Sequence, residues 1–181
     1  YDYSNLSSKI FIVKINANGQ FLWSREINIG EHNLGNSAIE LSDGYLICGS
    51  LDYNSALIKL DKETGSTIFF ETFDNGGIDA FEHISRVPNG YFAAGYVHSE
   101  DPFNTFYTEG EGFIMFLDEN MNELSSQNLS QYIDQAYRVQ NINNELIISG
   151  LSEGASDYKV IKMSLDGNII WHYSYGGDEE D

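Results

Sequence analysis

The sequence predicts an all-β fold, a β-propeller built from four-stranded antiparallel blades. Three observations support this prediction: the composition, a repeat of about 45 residues, and the lack of a helical pattern. The chain has 12 Tyr, 11 Phe and 17 Gly but only 2 Pro. Aromatic residues favour pleated strands, and glycines favour the turns between them. No segment repeats apolar residues at helical spacing with capping residues, so we expect almost no helix.

The repeat is visible in two independent series of markers. One is a residue near the end of an apolar strand, which recurs after 45, 57 and 46 residues. The other is a glycine that ends a strand, which recurs after 46 and 55 residues. Both series place an insertion of about ten residues in the same repeat. The markers are Lys14, Lys59, Phe116 and Lys162 in the first series and Gly49, Gly95 and Gly150 in the second.

Each repeat has room for four short strands, here lettered A to D, which is the size of one propeller blade. Several strands are apolar on both sides, which favours stacked sheets over a sandwich with cleaner alternation. We predict a half blade in residues 1–30, blades at about 36–73, 81–129 and 135–175, and the start of another at 176–181. About three and a half blades cannot close a ring, because propellers have about 4–8. We therefore expect residues 1–181 to be a single segment of a longer chain, completed by missing blades or by another chain.

Several of the turns carry a family resemblance. The sequence LDKETG at residues 60–65, followed by IFF at 68–70, resembles the quinoprotein-like propeller repeat, as does the segment at 11–23. Residues 163–171 and 175–178 are similar to propeller repeats of secreted and surface proteins of Bacteroidota. The resemblance covers essentially the whole chain and implies an extracellular, cell-surface or periplasmic binding or display module. It implies no quinone cofactor, because such enzymes need adjacent cysteines and cationic residues, and this chain has 1 Cys.

Charge and hydropathy exclude other classes of protein. The formal net charge is −19, from 28 acidic and 9 basic residues, whereas nucleic-acid binding needs clustered Lys and Arg. No apolar run approaches the roughly 18 residues that would cross a bilayer, so we expect a chain that is not embedded in a membrane. The single cysteine, Cys48, lies in an apolar strand, where we expect a small buried core thiol.

The longer connections indicate where a binding site lies. In a four-stranded meander the A–B and C–D turns lie at one end and the B–C and D–A connections at the other. The latter are longer here, and function concentrates in long loops on a rigid scaffold. The insertion at 98–111 combines three aromatic with four acidic residues, which suits sugar stacking or contact with a protein; alternatively, its phenylalanines cover a neighbouring blade. The candidate ligand-binding residues are Asp101, Phe103, Phe106, Tyr107, Glu109, Tyr53 and Asp79.

No motif indicates catalysis or a metal. Residues 118–122 match the start of a calcium loop, D-x-N-x-N, but they occupy a hairpin turn that every repeat has. Glu82 and His83 adjoin in a predicted strand, where neighbouring side chains point to opposite faces. We therefore expect no enzyme activity, catalytic residue, metal or cofactor.

The leading hypothesis is a non-catalytic binding module of an exported bacterial protein. It would recognise a glycan or a protein partner, and no nucleic acid, through the B–C and D–A loops. Two alternatives remain open. The chain could be a structural subunit of a cell-envelope assembly, or part of a propeller carbohydrate-active enzyme whose carboxylates lie partly in missing blades.

Overall fold

The computed structural model describes residues 7–100, 110–152 and 157–177. Within these ranges the chain forms fourteen β-strands in four antiparallel sheets and no helix, which confirms the predicted all-β class. The described residues accordingly contain no helix long and apolar enough to cross a membrane.

Every strand pairs with the strand that follows it inside the same sheet, so each sheet is a simple meander. One sheet, here the pair sheet, has two strands: β1 (Ile10–Ile15) and β2 (Phe21–Ile27). The other three have four strands each. Sheet I contains β3 (Asn33–Glu40), β4 (Gly44–Leu51), β5 (Asn54–Asp61) and β6 (Thr67–Phe73); sheet II contains β7 (Ile78–Val87), β8 (Gly90–Ser99), β9 (Glu111–Asp118) and β10 (Glu123–Asn128); sheet III contains β11 (Gln135–Ile142), β12 (Glu145–Leu151), β13 (Tyr158–Ser164) and β14 (Ile169–Tyr175).

Polar side chains organise the turns between the third and fourth strands. In sheet I, Asp61 Oδ1 accepts a hydrogen bond from the backbone N–H of Thr64 at 2.7 Å. In sheet II, Asp118 Oδ1 accepts from the N–H groups of Asn120 and Asn122 at 2.8 and 2.9 Å. Asp and Asn favour such turns because their side chains bond backbone groups a few residues ahead. The calcium-like sequence at 118–122 is thus one of these hairpin turns.

The sheets stack face to face in chain order. Strand β7 packs across β3, β4 and β5, and β11 packs across β7, β8 and β9. On β8, Tyr91 and Ala93 face the core shared with sheet I, whereas Phe92 and Ala94 face the core shared with sheet III. Burying a large apolar side chain such as Phe92 contributes about 1.5–3 kcal/mol. Central strands therefore need apolar residues on both faces, as their sequences show.

The recurring glycines lie inside the second strands, beside a bulge in the first strands. Opposite Gly49, the first strand carries an extra residue, Asn36, between two register positions. A Cβ on Gly49 would lie 1.9 Å from the carbonyl oxygen of Leu34, so no other residue fits there. The close approach of the first strand explains why a glycine recurs at this position of the repeat. The same bulge occurs beside Gly95 and Gly150, with Glu82 and Tyr137 as the extra residues.

This bulge breaks the simple alternation of side chains along β7. Phe81 and Ile84 lie three residues apart yet belong to the same core, which a regular two-residue period would not allow. The expectation that Glu82 and His83 point to opposite faces requires a regular two-residue period, which the bulge interrupts at this position.

A second bulge recurs between the third and fourth strands of all four sheets. The register shifts directly after Lys14, Lys59, Phe116 and Lys162, which were the sequence markers. Strand β1 is therefore equivalent to the third strand, and β2 to the fourth strand, of the larger sheets. The extra residue is apolar and about half exposed or more in every case: Leu22, Ile68, Leu124 and Ile170.

Candidate functional site

Two of the candidate residues, Tyr53 and Asp79, meet at one end of the stack. This loop end comprises the connections that follow the second and the fourth strand of each sheet. Tyr53 lies in the two-residue turn between β4 and β5, with φ 72°. Asp79 lies at the start of β7, and its backbone N–H donates to the carbonyl oxygen of Tyr53 at 2.8 Å. The turn of sheet I and the entry to sheet II are thus fixed to each other.

The side chain of Tyr53 forms a small polar surface with the connection before β3. Its ring stacks on that of His32, with centroids 5.2 Å apart and planes 10° apart. Its hydroxyl donates to Glu31 Oε2 at 3.3 Å. Burial, and then the carboxylate of Glu31, raise the pKa of Tyr53, so it stays a neutral hydrogen-bond donor. His32 is buried, which lowers its pKa and favours the uncharged ring.

The Asp79 side chain holds two backbone segments of the loop end together. Its side chain is fully buried, and its two carboxylate oxygens accept backbone hydrogen bonds, from Asn75 at 2.7 Å and from His98 at 3.0 Å. Burial raises the pKa of Asp79, and the two backbone N–H groups oppose that effect. The carboxylate joins the connection before β7 to the end of β8. Its predicted contact with a ligand remains a prediction.

Asn33 repeats this device in sheet I. Its Oδ1 accepts from the backbone N–H of Ile29 at 3.2 Å, four residues earlier, as Asp79 accepts from Asn75. Asn33 is also buried, and its Nδ2 donates to Ser8 O at 2.8 Å. The two residues stand at equivalent places, each two positions before the residue paired with the recurring glycine, Gly49 or Gly95. The sequence did not reveal this equivalence because the position is Asn33 in one repeat and Asp79 in the next.

The two ends of the inserted segment are held beside Asp79. His98 Nε2 lies 2.8 Å from Asn75 O, and His98 Nδ1 lies 3.3 Å from Glu111 Oε2. Asn128 Nδ2 also bonds Glu111 Oε2. Both ends of the segment are thus held by side-chain contacts. The candidate residues on the segment itself lie outside the described residues and remain predictions: Asp101, Phe103, Phe106, Tyr107 and Glu109.

A second group, on the first strands of sheets II and III, was not expected from the sequence. Glu82, the extra residue of the β7 bulge, is half-buried, and desolvation raises its pKa to about 7. His83 beside it has its pKa lowered by burial and, to a smaller extent, by the charge of Arg138 on β11. The Nδ1 atom of His83 has no hydrogen-bond partner in the described part of the chain. The carboxyl group of Glu82 can therefore take up or release a proton near neutral pH.

Four cavities in the described part of the chain lie away from Tyr53 and Asp79, and neither residue lines any of these four. Two of those cavities lie along β1, and two lie near the hairpin turn after β9. The described residues also contain no group of three His, Cys, Asp or Glu that could hold a metal ion. Stacking and hydrogen bonding are what the loop end offers a ligand.

Comparison of the chain with known proteins does not assign it to a family. No protein-family model matches the chain, and no curated protein matches it at a significant level.

Proposed function

We propose that this chain is a β-propeller segment with three complete four-stranded blades and the outer half of another. Sheets I, II and III would be the complete blades, and the pair sheet would supply third and fourth strands only. The support is that the same two bulges recur in register in successive sheets. In the described residues the main contacts between sheets join neighbours in chain order, which is typical of repeat architectures of this kind.

On this scaffold, the chain acts as a non-catalytic binding module of an exported bacterial protein. It recognises a glycan or a protein partner through the loop end. The observation that carries this proposal is the fixing of the inserted segment at both ends. His98 and Glu111 contact each other at 3.3 Å, and Asp79 ties His98 to the preceding connection. A long segment with fixed ends can present side chains at the low entropic cost that binding requires.

The chemistry near the insertion fits either partner. The Tyr53 ring and the Glu31 carboxylate lie side by side, joined by the hydroxyl hydrogen bond. An aromatic face beside a carboxylate can stack on a sugar ring and accept its hydroxyl protons, or it can form the centre of a protein contact. The net charge of −19 disfavours strongly acidic ligands.

The test is ligand capture by the 181-residue chain with Phe103, Phe106 and Tyr107 replaced together by alanine. Glycan arrays and affinity capture with exported bacterial proteins supply the ligands. We expect at least tenfold weaker binding and an unchanged β circular-dichroism signal. The matched control is Phe21→Ala, an exposed phenylalanine that begins β2 at the hairpin-turn end, opposite the loop end. Equal binding by the triple variant and the parent would remove the site assignment.

A further inference from the structure

An open cavity of about 470 Å³, here called the β6 groove, lies between sheets I and II. It separates strand β6 from the hairpin turn that follows β9. Phe69 and Phe73 line it from β6, and both also pack against the core that the two sheets share. Glu71 stands between them on the strand and points to the same side. The β6 wall of the groove is therefore two aromatic rings with a carboxylate between them.

A second carboxylate enters the β6 groove from sheet II. Glu123 lines the groove and pairs with Leu117, which faces the core shared with sheet I. Directly paired residues of antiparallel strands share a face, so Glu123 also points towards sheet I. Glu71 and Glu123 are exposed, and neither has a salt-bridge partner in the described part of the chain. The groove thus holds two carboxylates without a cation.

The same place between the pair sheet and sheet I is filled by an arginine. Arg25 and Glu71 are equivalent, since each lies two residues after the residue that pairs with the marker lysine of the third strand. The Nη2 atom of Arg25 donates a hydrogen bond to Thr64 O, in the hairpin turn of sheet I. Its Nη1 atom donates to Ser24 O, on its own strand, at 2.6 Å. One guanidinium group thereby joins a fourth strand to the hairpin turn of the next sheet.

The residues whose carbonyl groups hold Arg25 have counterparts in the β6 groove. On the fourth strands, Ser24 corresponds to Phe70. In the hairpin turns, Thr64 corresponds to Asn120, because each is followed by a residue with positive φ and stands two residues before the carbonyl that closes the turn. Phe70 and Asn120 both line the groove. The groove therefore resembles a guanidinium site from which the guanidinium is missing.

No cation of the sequence occupies the β6 groove. The 9 basic residues all lie in the described ranges, and none of them lines the groove. Where Arg25 brings a positive charge, the equivalent position brings the negative charge of Glu71, and Glu123 adds another. Because acceptor groups line the groove from both sheets, the donor that satisfies them has to come from a ligand.

The chemistry of the groove favours arginine over other cations. A guanidinium group is planar and donates hydrogen bonds in several directions, so it can bond carboxylates and carbonyl oxygens of both sheets at once. Its flat face also stacks on aromatic rings, which Phe69 and Phe73 offer. Arginine within a polypeptide fits better than the free amino acid, because the free α-carboxylate would meet Glu71 and Glu123 and no cation.

We propose that the β6 groove binds the guanidinium group of an arginine side chain that a protein ligand presents. The group bonds the carboxylates of Glu71 and Glu123 and stacks on the phenylalanines of β6. It joins sheet I to sheet II in the way that Arg25 joins the pair sheet to sheet I. This proposal does not depend on the function of the loop end.

The probe is arginine with both backbone groups blocked, N-acetyl-arginine methylamide, titrated into the isotope-labelled 181-residue chain. Backbone amide chemical shifts measure binding at each residue. We expect saturable shifts at β6 and at the hairpin turn after β9. The same compound made from citrulline keeps the shape of arginine without its charge. It should bind roughly tenfold more weakly or worse, since hydrogen bonds between charged groups are the stronger ones. Equal binding of the citrulline compound, or shifts confined to other parts of the chain, would overturn the proposal.

Three variants test the residues of the groove. Glu71→Gln should weaken binding roughly tenfold, because one charged acceptor is lost. Asp166→Asn removes an exposed carboxylate from the hairpin turn of sheet III and should leave binding unchanged; equal effects of the two variants would reduce the attraction to net charge. Glu71→Arg should abolish binding and shift the amide of Asn120, because its side chain can fill the groove from within, as Arg25 fills the equivalent place. Undiminished binding by Glu71→Arg would contradict the proposed site.

Three further measurements identify the class of ligand. Free arginine should bind more weakly than the blocked compound, and tighter binding would assign the groove to the free amino acid instead. Calcium chloride should not displace the blocked compound at matched ionic strength; displacement would indicate a metal site. The chain alone should keep one mass as its concentration rises. A doubled mass with shifts at the same residues would assign the groove to a second copy of the chain.

Discussion

The carboxylate of Asp79 accepts a hydrogen bond from the backbone N–H of His98 at 3.0 Å. The same carboxylate holds the N–H of Asn75 at 2.7 Å. One buried side chain therefore fixes the connection into sheet II and the point where the inserted segment leaves β8. The scaffold of the proposed binding surface depends on a residue that is itself fully buried.

Removing that carboxylate should destabilise the fold. In Asp79→Ala two partly buried backbone donors lose their acceptor, and an unsatisfied group costs up to about 1–3 kcal/mol where it is fully buried. Asp79→Asn keeps one acceptor oxygen, so it should lose less. Urea unfolding measures the free-energy differences. Asp74→Ala is the control, because its carboxylate accepts only an exposed hydrogen bond from Gly76; an equally large loss there would contradict the special position of Asp79.

The all-β class could be predicted from the sequence because the signals of short strands are local. Turn residues and apolar runs indicate such strands directly, and the described residues form fourteen of them. The glycine markers were also informative, since each marks a close approach of two backbones. At Gly49 and Gly95 the neighbouring carbonyl oxygen leaves no room for a Cβ.

The bulges and the buried anchors could not be predicted in the same way. The extra residues of the first strands are Asn36, Glu82 and Tyr137, which share no property that a pattern could detect. Asn33 and Asp79 act alike only through hydrogen bonds to backbone groups four residues earlier. Such roles depend on tertiary geometry.

The recurring glycines of the second strands should not tolerate alanine. Gly49→Ala would place a methyl group 1.9 Å from the carbonyl oxygen of Leu34, a backbone atom that moves only with its strand. Overpacking of this kind costs about 1–3 kcal/mol or more. Gly177→Ala is the matched control, since no atom lies within 4 Å of its Cβ position. Urea unfolding should show a large loss for the first variant and almost none for the second.

Cys48 should resist thiol reagents in the folded chain. The residue is fully buried, and burial, with a further contribution from Glu82, raises the pKa of its thiol well above the usual range. Because the thiolate is the reactive form, labelling with a chromogenic disulfide should occur only upon unfolding. One equivalent should react at once in guanidinium chloride. Fast labelling without denaturant would show that the core of sheets I and II opens readily.

The stability of the chain should fall as pH rises from about 4.5 to about 7 through the ionisation of Glu82. Desolvation raises the pKa of Glu82 from its ordinary value of 4.5 to about 7, so the folded state holds the proton more tightly than the unfolded state. The resulting stabilisation is complete below the unfolded pKa, and it is lost as pH rises through the folded pKa. The carboxylate of Glu82 contributes to the raised pKa of Cys48 on β4, and His83, which follows Glu82 on β7, is influenced by Arg138 on β11.

Replacing the carboxyl by an amide isolates this effect. The difference in unfolding free energy between the parent and Glu82→Gln should change by about 2–3 kcal/mol across that pH window, since one pKa unit corresponds to about 1.4 kcal/mol. Glu123→Gln, at an exposed position of β10, should show no such change. Urea unfolding at half-unit pH steps measures both. Parallel pH profiles for the parent and Glu82→Gln would mean that Glu82 is solvated in the folded chain, and its bulge would then be a structural feature without a proton to exchange.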